Sequence, residues 1–387
     1  MQHSNRVFHS PFAELTLHRI PRGSTQSNNL RAWDAADEIM LKHLAEQQLP
    51  VAGNKLLIIN DSFGALSCHL ADYCITNWSE SLISHLASQE NLKSNQLTAN
   101  INLLESTASP NKIFDLVLIK VPKTLALLEH QLATLKNHIS ANTVIIAGGM
   151  VKYLQKSHQQ LFEKYLGNST TSLAIKKARL IFSGTERREQ TSQSPYPLQN
   201  HNQEIDLHIS QHANVFAKDK LDIGTRFMLQ QYDQLPAAKT ILDLGCGNGI
   251  LGIMAKRQQP DCRVYFIDES YMAVSSARDN YFNPLNIESQ QAQDKENFLV
   301  SNCLEQTSLR DIDLILCNPP FHQANTVGDQ IAWQMFKQGY KGLKQGGRLW
   351  IVGNRHLSYH VKLKRLFGNC STIASNNKFV ILEARRS

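Results

Sequence analysis

Short apolar runs closed by polar or glycine-rich punctuation recur along the chain, and helix-spaced apolar positions fill the intervals between them. Residues 31–47 place Trp33, Ala36, Ile39, Met40 and Leu44 at helical spacing and predict an amphipathic helix. Lys55–Ile59 reads as a buried strand that runs into Asn60-Asp61-Ser62-Phe63-Gly64, with a helix from Ala65. Phe114–Ile119 is another buried strand, entering Lys120-Val121-Pro122-Lys123, and a helix with Leu125, Leu128 and Leu132 on one face follows. Thr143–Ala147 is a further strand, ending at Gly148-Gly149. Strands alternating with helices predict an α/β protein built on a parallel sheet.

The stretch from Arg187 to Asn202 is polar, holds Pro195 and Pro197, and reads as a linker. The pattern then begins again. The strand Thr240–Leu244 runs into Gly245-Cys246-Gly247-Asn248-Gly249 and a helix from Ile250 to about Arg257. Arg263–Ile267 ends in Asp268-Glu269, and Phe298–Val300 ends at Ser301-Asn302-Cys303. Asp311–Leu316 enters Cys317-Asn318-Pro319-Pro320-Phe321-His322. A helix over about 331–343, a Gly346-Gly347 turn, the strand Arg348–Val352 and a hairpin of Ser371–Ala374 with Phe379–Glu383 complete the second half.

The halves echo each other. The run into Asn60 mirrors the run into Asp243, Phe114–Pro122 mirrors Asp311–Pro319, and Val144–Gly149 mirrors Leu349–Gly353. The chemistry is not repeated. The first half has only Gly64 where the second has a glycine cluster, and Lys120-Val121-Pro122 where the second has Asn318-Pro319-Pro320. The expectation is a duplicated fold in two domains, 1–186 and 203–387, joined by residues 187–202. The first copy is degenerate and serves to hold substrate, and the second keeps the catalytic loops.

In that second copy, Gly245, Gly247 and Gly249 allow a tight turn and a close approach of backbone to ligand. Asp243 precedes them, and Asp268 follows Gly245 by 23 residues, a spacing at which a carboxylate reaches the two hydroxyls of an adenosine ribose. The competing reading of Asp268 is a helix N-cap. Asn248 lies in the turn, and Asn302 is placed to meet an adenine edge. All these positions fall at carboxyl ends of strands, where open α/β sheets bind ligands. At Asn318 the two following prolines force the chain to turn, and Pro319 holds Asn318 extended. The Asn318 side-chain oxygen and the Pro319 carbonyl can accept both hydrogens of a planar NH2 group, and Phe321 can stack on the ring that carries it. Accepting both hydrogens draws the nitrogen lone pair out of conjugation. His322 is a candidate outlet for the proton.

Composition adds a partner class. The chain has 387 residues, a net charge of +7 and pI near 9.0, which favours an anionic partner. From Lys337 onward Glu383 is the only acid. Arg355, Lys362, Lys364 and Arg365 in that segment, with the smaller Lys176, Lys177 and Arg179 cluster, are candidate phosphate contacts. The competing reading for each group is a solvated surface. Seven cysteines without CxxC or Cys/His ligand spacing predict reduced thiols and no metal site. No apolar run reaches the ~18 residues of a membrane helix, and Met1–Val7 lacks the apolar core of a signal peptide, so a soluble cytoplasmic protein is expected.

Asp243-Leu-Gly-Cys-Gly-Asn-Gly249 together with Asn318-Pro-Pro-Phe321 resembles the class I S-adenosylmethionine-dependent methyltransferases that act on an exocyclic amine. The duplicated layout narrows the resemblance to the RsmC/RlmG type of bacterial ribosomal RNA guanine-N2 methyltransferases. Ala32–Glu38, Asn60–Leu66, Lys120–Glu129, His212–Phe216, Leu221–Gly224 and Phe367–Cys370 are similar to the RlmG branch. The resemblance implies a seven-stranded, mostly parallel sheet in each half and S-adenosylmethionine as cofactor. It implies methylation of one guanine N2 in 23S rRNA, with the base flipped into the Asn318–Phe321 loop. It also implies an N-terminal copy that binds RNA without cofactor, and no obligate protein partner is evident. The alternatives are a 16S rRNA guanine-N2 enzyme, a protein glutamine or DNA adenine methyltransferase, and a non-catalytic RNA-binding assembly factor. A dinucleotide dehydrogenase is disfavoured because Gly245-x-Gly247-x-Gly249 lacks GxGxxG spacing.

Overall fold

The computed structural model describes residues 6–20, 30–187, 193–215, 221–287, 296–320 and 326–387. The chain divides into two compact units, Met1–Tyr196 and Pro197–Ser387.

The first unit opens with the hairpin β1 (Val7–His9) and β2 (Glu14–Thr16), then α1 (Ala35–Glu46) and β3 (Lys55–Ile59). It continues through α2 (Ala65–His69), β4 (Cys74–Ser79), α3 (Leu82–Ser94), β5 (Ile101–Glu105), β6 (Phe114–Lys120) and α4 (Leu125–Leu135). It closes with β7 (Ile139–Met150), α5 (Lys156–Tyr165), β8 (Ser169–Thr171) and β9 (Ala178–Ser183). The second unit opens with the hairpin β10 (Leu198–Asn202) and β11 (Leu207–Gln211), then α6 (Ile223–Leu229), β12 (Thr240–Leu244), α7 (Ile250–Gln258), β13 (Arg263–Asp268) and α8 (Tyr271–Tyr281). After these come β14 (Phe298–Val300), β15 (Ile312–Cys317), α9 (Thr326–Gly342), β16 (Leu343–Asn354), α10 (Tyr359–Phe367), β17 (Ser371–Ser375) and β18 (Phe379–Arg385).

Among the described residues each unit builds a seven-stranded sheet, and the two orders are the same. They run β5-β4-β3-β6-β7-β9-β8 and β14-β13-β12-β15-β16-β18-β17. The first five strands of each order are parallel, and the sixth, β9 or β18, runs antiparallel to both of its neighbours. Central strands are apolar on both faces because helices cover both. In β12, Ile241 packs into one cluster with Ile250, Ile253 and Ala277, while Leu242 and Leu244 pack into the other with Phe336 and Leu363. The order reverses between β3 and β6 and between β12 and β15, the place where such sheets open a ligand crevice.

Three expectations change. The strand expected over Thr143–Ala147 runs through Gly148 and Gly149, which pair with Leu180 and Arg179 of β9. A Cβ on Gly148 would stand 2.7 Å from the Met40 methyl and 3.6 Å from the Ala36 Cβ, both on α1, which packs over this strand. The residues Leu198–Asn202, expected as linker, form a ladder with β11. Their polar character fits a hairpin with one solvated face. The internal mirror also shifts. Pairing aligns Leu244 with Ile267 and Cys317, and Ile59 with Trp78 and Ile119. Asn60 is therefore the counterpart of Gly245, not of Asp243, while Lys120 is the counterpart of Asn318, as expected from the Lys120–Pro122 and Asn318–Pro320 segments. Among the described residues no helix is long and apolar enough to cross a membrane, and no group of three or more His, Cys, Asp or Glu side chains is placed to hold a metal ion.

Candidate functional site

Gly245, Asp268 and Asn318 stand side by side on the carboxyl edge of the second sheet, following the aligned residues Leu244, Ile267 and Cys317. The glycine loop bends over β13: the N–H groups of Gly245 and Cys246 both donate to the Ile267 carbonyl, at 2.8 and 3.0 Å. Gly245, Gly247 and Gly249 take φ of +73°, +54° and +81°, a region that excludes most side chains. A Cβ on Gly249 would meet Ala277 at 2.9 Å, so this glycine lets α7 and α8 approach. Gly247 differs. No described atom lies within 4 Å of where its Cβ would be, so its bare backbone faces open space beyond the strand ends.

Two carboxylates hold this loop. Asp243 is 1% exposed, and its Oδ2 accepts the Gly252 N–H at 2.8 Å. Burial, with Asp268 nearby, pushes its carboxyl up to about 8. Asp243 thus ties β12 to α7 beneath the loop. Asp268 Oδ2 accepts the Gly247 N–H at 3.0 Å, and its Oδ1 accepts the Ser270 N–H at 3.0 Å. Burial raises its carboxyl, and the backbone N–H groups oppose the rise. It is not the N-cap of α8; that position is Ser270, whose hydroxyl accepts from Ala273 N–H at 3.0 Å. Asn248 is nearly buried and its carbonyl accepts from Asn280. Asn302 is also nearly buried, and its Nδ2 donates to Glu305 at 2.7 Å.

Asn318 is fixed from a distant part of the chain. Its Nδ2 donates to Asp222 Oδ2 at 3.0 Å and to Thr225 Oγ1 at 2.9 Å. Its Oδ1 is shielded from solvent and has no hydrogen-bond partner among the described residues. Pro319 is buried and Pro320 exposed. Phe321 and His322 lie outside the described residues. Sequence reading passed over the roles of Asp222 and Thr225. The available signal was an acid three residues before a threonine, an N-cap pattern, placed just ahead of the first strand of the repeat.

The matching edge of the first unit carries other chemistry. Asn60 keeps the left-handed turn (φ +63°), Gly64 keeps the helix start, and Ser79 stands where the second unit has Asp268. Lys120 Nζ lies 2.7 Å from Asp34 Oδ1 and 2.8 Å from Asp37 Oδ1. Asp34 caps α1 as Asp222 caps α6. Burial pushes Asp37 up to about 6 against the pull of Lys120, whereas Lys120 helps bring Asp34 down.

The candidate phosphate contacts divide. Lys176 and Lys177 are exposed at the tip between β8 and β9, with Lys176 2.6 Å from Glu38. Arg179 is half-buried on β9. Arg355, Lys364 and Arg365 are exposed. Lys362 is different, since it pairs with Asp329 and lies over the Tyr359 ring. Lys344 and Arg348 are paired as well, with Asp313 and Glu383. The C-terminal basic run is therefore partly neutralised, largely by acids from outside it. Near the tip, Lys123 and Lys152 each lie within 5 Å of the Tyr153 ring centre, at 4.7 and 4.6 Å.

A seven-stranded sheet of this order, with a glycine loop after its first strand and an acid after its second, defines a class I S-adenosylmethionine-dependent methyltransferase. Residues 5–187 match the RLMG N-terminal domain, and residues 206–383 match the methyltransferase small domain. The chain is 44% identical over 377 residues to ribosomal RNA large subunit methyltransferase G of Pseudoalteromonas translucida (strain TAC 125), with 96% of each chain covered. It is 48% identical over 375 residues to the protein of that name from Erwinia tasmaniensis, again with 96% of each covered. The chain belongs to the ribosomal RNA large subunit methyltransferase G family. A solved T. thermophilus 16S rRNA N2 G1207 methyltransferase (RsmC), in complex with AdoMet and guanosine, shares the fold over 100% of both chains, with a TM-score of 0.72 at 17% identity.

Proposed function

We propose that the second unit methylates the exocyclic N2 amine of one guanine in 23S rRNA, and that the first unit holds the RNA. The observation that carries this reading is the Asn318 amide: its donor end is held and its acceptor end is left for a ligand donor. An unpaired buried acceptor costs about 1–3 kcal/mol, and an incoming N–H removes that cost. The names of the relatives support the large-subunit RNA as substrate, and the RsmC complex supports guanine N2 as acceptor.

The residues present fit the cofactor. The bare Gly247 backbone, the turn Gly245–Gly249 with Asn248, and the Asp268 carboxylate beside it would hold S-adenosylmethionine, with Asn302 at its base and Asp243 supporting the loop. When bound, the cofactor supplies a methyl group activated by a positive sulfur. Asn318 Oδ1 and the Pro319 carbonyl accept the two N2 hydrogens, withdraw the lone pair from the ring and orient it. Pro320 stiffens the turn; Phe321 and His322, outside the described residues, are the candidates that the sequence offers for stacking on the base and for passing the proton outward. A paired base has to leave its helix to reach such a loop. A Gly247→Ala change tests the cradle. The left-handed φ costs about 1–2 kcal/mol of stability, whereas the added methyl occupies the open side of the loop. Calorimetry is expected to show cofactor affinity falling more than tenfold while the melting point drops only a few degrees.

The exposed Lys176 and Lys177, with the Lys123–Tyr153–Lys152 group, support RNA binding by the first unit. Replacing Lys176 and Lys177 together by alanine is expected to weaken RNA binding uniformly across sequences. The slope of log affinity against log salt should fall by about 1–2. An unchanged slope would remove this tip from the interface.

The direct test incubates the purified chain with methyl-labelled S-adenosylmethionine and deproteinised 23S or 16S rRNA, then analyses nucleosides. Label in N2-methylguanosine from 23S rRNA is the expected result. Label only from 16S rRNA moves the substrate to the small subunit, and no label in either RNA overturns the proposal.

A further inference from the structure

We propose that Asp222 and Thr225 are positioning residues that lock the Asn318 amide in the one orientation that presents an acceptor to the substrate amine. The inference rests on the methyl-transfer reading above. An asparagine amide has two ends of nearly equal shape, one donating and one accepting, and only its hydrogen-bond partners decide which end faces where. A carboxylate only accepts, so the end of Asn318 that faces Asp222 is NH2. One of its hydrogens goes to Asp222 Oδ2 and the other to Thr225 Oγ1, at 3.0 and 2.9 Å. The same Oδ2 also accepts the Thr225 backbone N–H at 2.8 Å, which closes a triangle across 96 residues of sequence. Both donors of the amide are used, and Oδ1 is left over. An anionic acceptor at the NH2 end also polarises the amide and makes that oxygen a stronger acceptor. With the amide flipped, NH2 would face NH2, and the guanine amine would find no acceptor there.

The first unit shows what the link does without an acceptor. The same three positions are joined there: Lys120 on the strand, the N-cap Asp34, and Asp37 three residues into the cap. The tie between helix cap and strand end is therefore common to both copies. An ammonium group has donors only. The difference between the copies is the acceptor that asparagine retains, and the experiment has to read amide orientation apart from the tie itself.

Asparagine caps a helix about as well as aspartate, so Asp222→Asn keeps the cap, with its oxygen on the Thr225 N–H, while removing the charge that polarises the Asn318 amide and adding an NH2 that can pair with a reversed Asn318. Full-length Asp222→Asn, Thr225→Val, Thr225→Ser and Asn318→Ala are compared on 23S rRNA with S-adenosylmethionine. For Asp222→Asn and Thr225→Val, kcat is expected to fall about 10- to 100-fold. The KM for RNA, cofactor affinity by calorimetry and the melting point should hold. Thr225→Ser keeps the hydroxyl and is expected to retain kcat within twofold. The proposal is overturned if Asp222→Asn and Thr225→Val turn over at the parent rate. It is equally overturned if their losses follow a matching loss of melting point or cofactor affinity. Full turnover by Asn318→Ala would instead remove the methyl-transfer reading beneath it.

Discussion

Asn318→Ala is expected to abolish methyl transfer, with a loss of about 10³-fold in kcat, while cofactor and RNA affinities stay within twofold. The change removes the shielded Oδ1, the one acceptor at the strand end whose orientation is fixed by two independent hydrogen bonds. Removal of a single oriented group that strengthens its contact in the transition state costs about 10²–10³ in rate. The higher figure applies here because the alanine also leaves the amine lone pair delocalised into the ring. Stability should change little, since Asp222 still accepts the Thr225 N–H and caps α6. Asn318→Asp sharpens the point. It keeps an oxygen at Oδ1 but sets a second carboxylate about where Nδ2 now lies, 3.0 Å from Asp222. Like charges at that distance raise the carboxyl pKa of the pair, so the folded state binds a proton that the unfolded state releases near pH 4. The Asp variant is therefore expected to be more stable at pH 5 than at pH 8. Turnover by Asn318→Ala at a tenth of the parent rate or better would remove Asn318 from the chemistry.

The parts of this site carried by backbone punctuation were legible in the sequence. The glycine turn after Thr240–Leu244, the acid ending Arg263–Asp268 and the Asn-Pro-Pro turn after β15 each announce themselves through residues with few other uses. Features that depend on distant partners were not. Asp222 and Asn318 are 96 residues apart, and nothing local in either stretch names the other. The basic C-terminal run looked like a continuous field until Lys344 and Lys362 were seen beside Asp313 and Asp329. Strand β4 was missed for a different reason. Its Thr76, Asn77 and Ser79 are buried but polar, with Asn77 Nδ2 donating to Ser67 and Ser88, so the apolar pattern that marks a central strand is absent. The mirror between the halves was offset because apolar runs match equally well at several registers. Strand pairing removes that freedom and fixes Lys120 as the counterpart of Asn318, the match that Lys120-Val121-Pro122 and Asn318-Pro319-Pro320 already make in the sequence.

That correspondence makes a second strong expectation. Lys120→Met should destabilise the first unit by about 3–5 kcal/mol at pH 7.5, the cost of leaving a buried ion pair without one partner. Two carboxylates depend on this ammonium, Asp34 at 2.7 Å and the almost fully buried Asp37 at 2.8 Å, with Asp61 also buried nearby. The loss should depend on pH in a stated direction. Lys120 is raised above its ordinary value, so its contribution is fully present below about 10.5 and is lost only as pH climbs beyond that. Asp37 already stands at about 6 with the lysine present, and without it the carboxyl moves further up. As pH falls through that range the folded variant takes up protons that the unfolded chain binds only near 4. The deficit should therefore shrink between pH 8 and pH 5. Urea unfolding of the full chain at the two pH values measures this, and a deficit below 1 kcal/mol at pH 8 would show that the pair does not hold the edge together. Replacing Asp37 with leucine alongside Lys120→Met removes one stranded charge and should recover part of the loss. Neither variant should gain a second cofactor site, because Ser79 still stands where the second unit has the Asp268 carboxylate. The lysine thus closes an edge that carries Asn60 and Ser79 where the second unit has Gly245 and Asp268, and its removal should cost stability without adding chemistry.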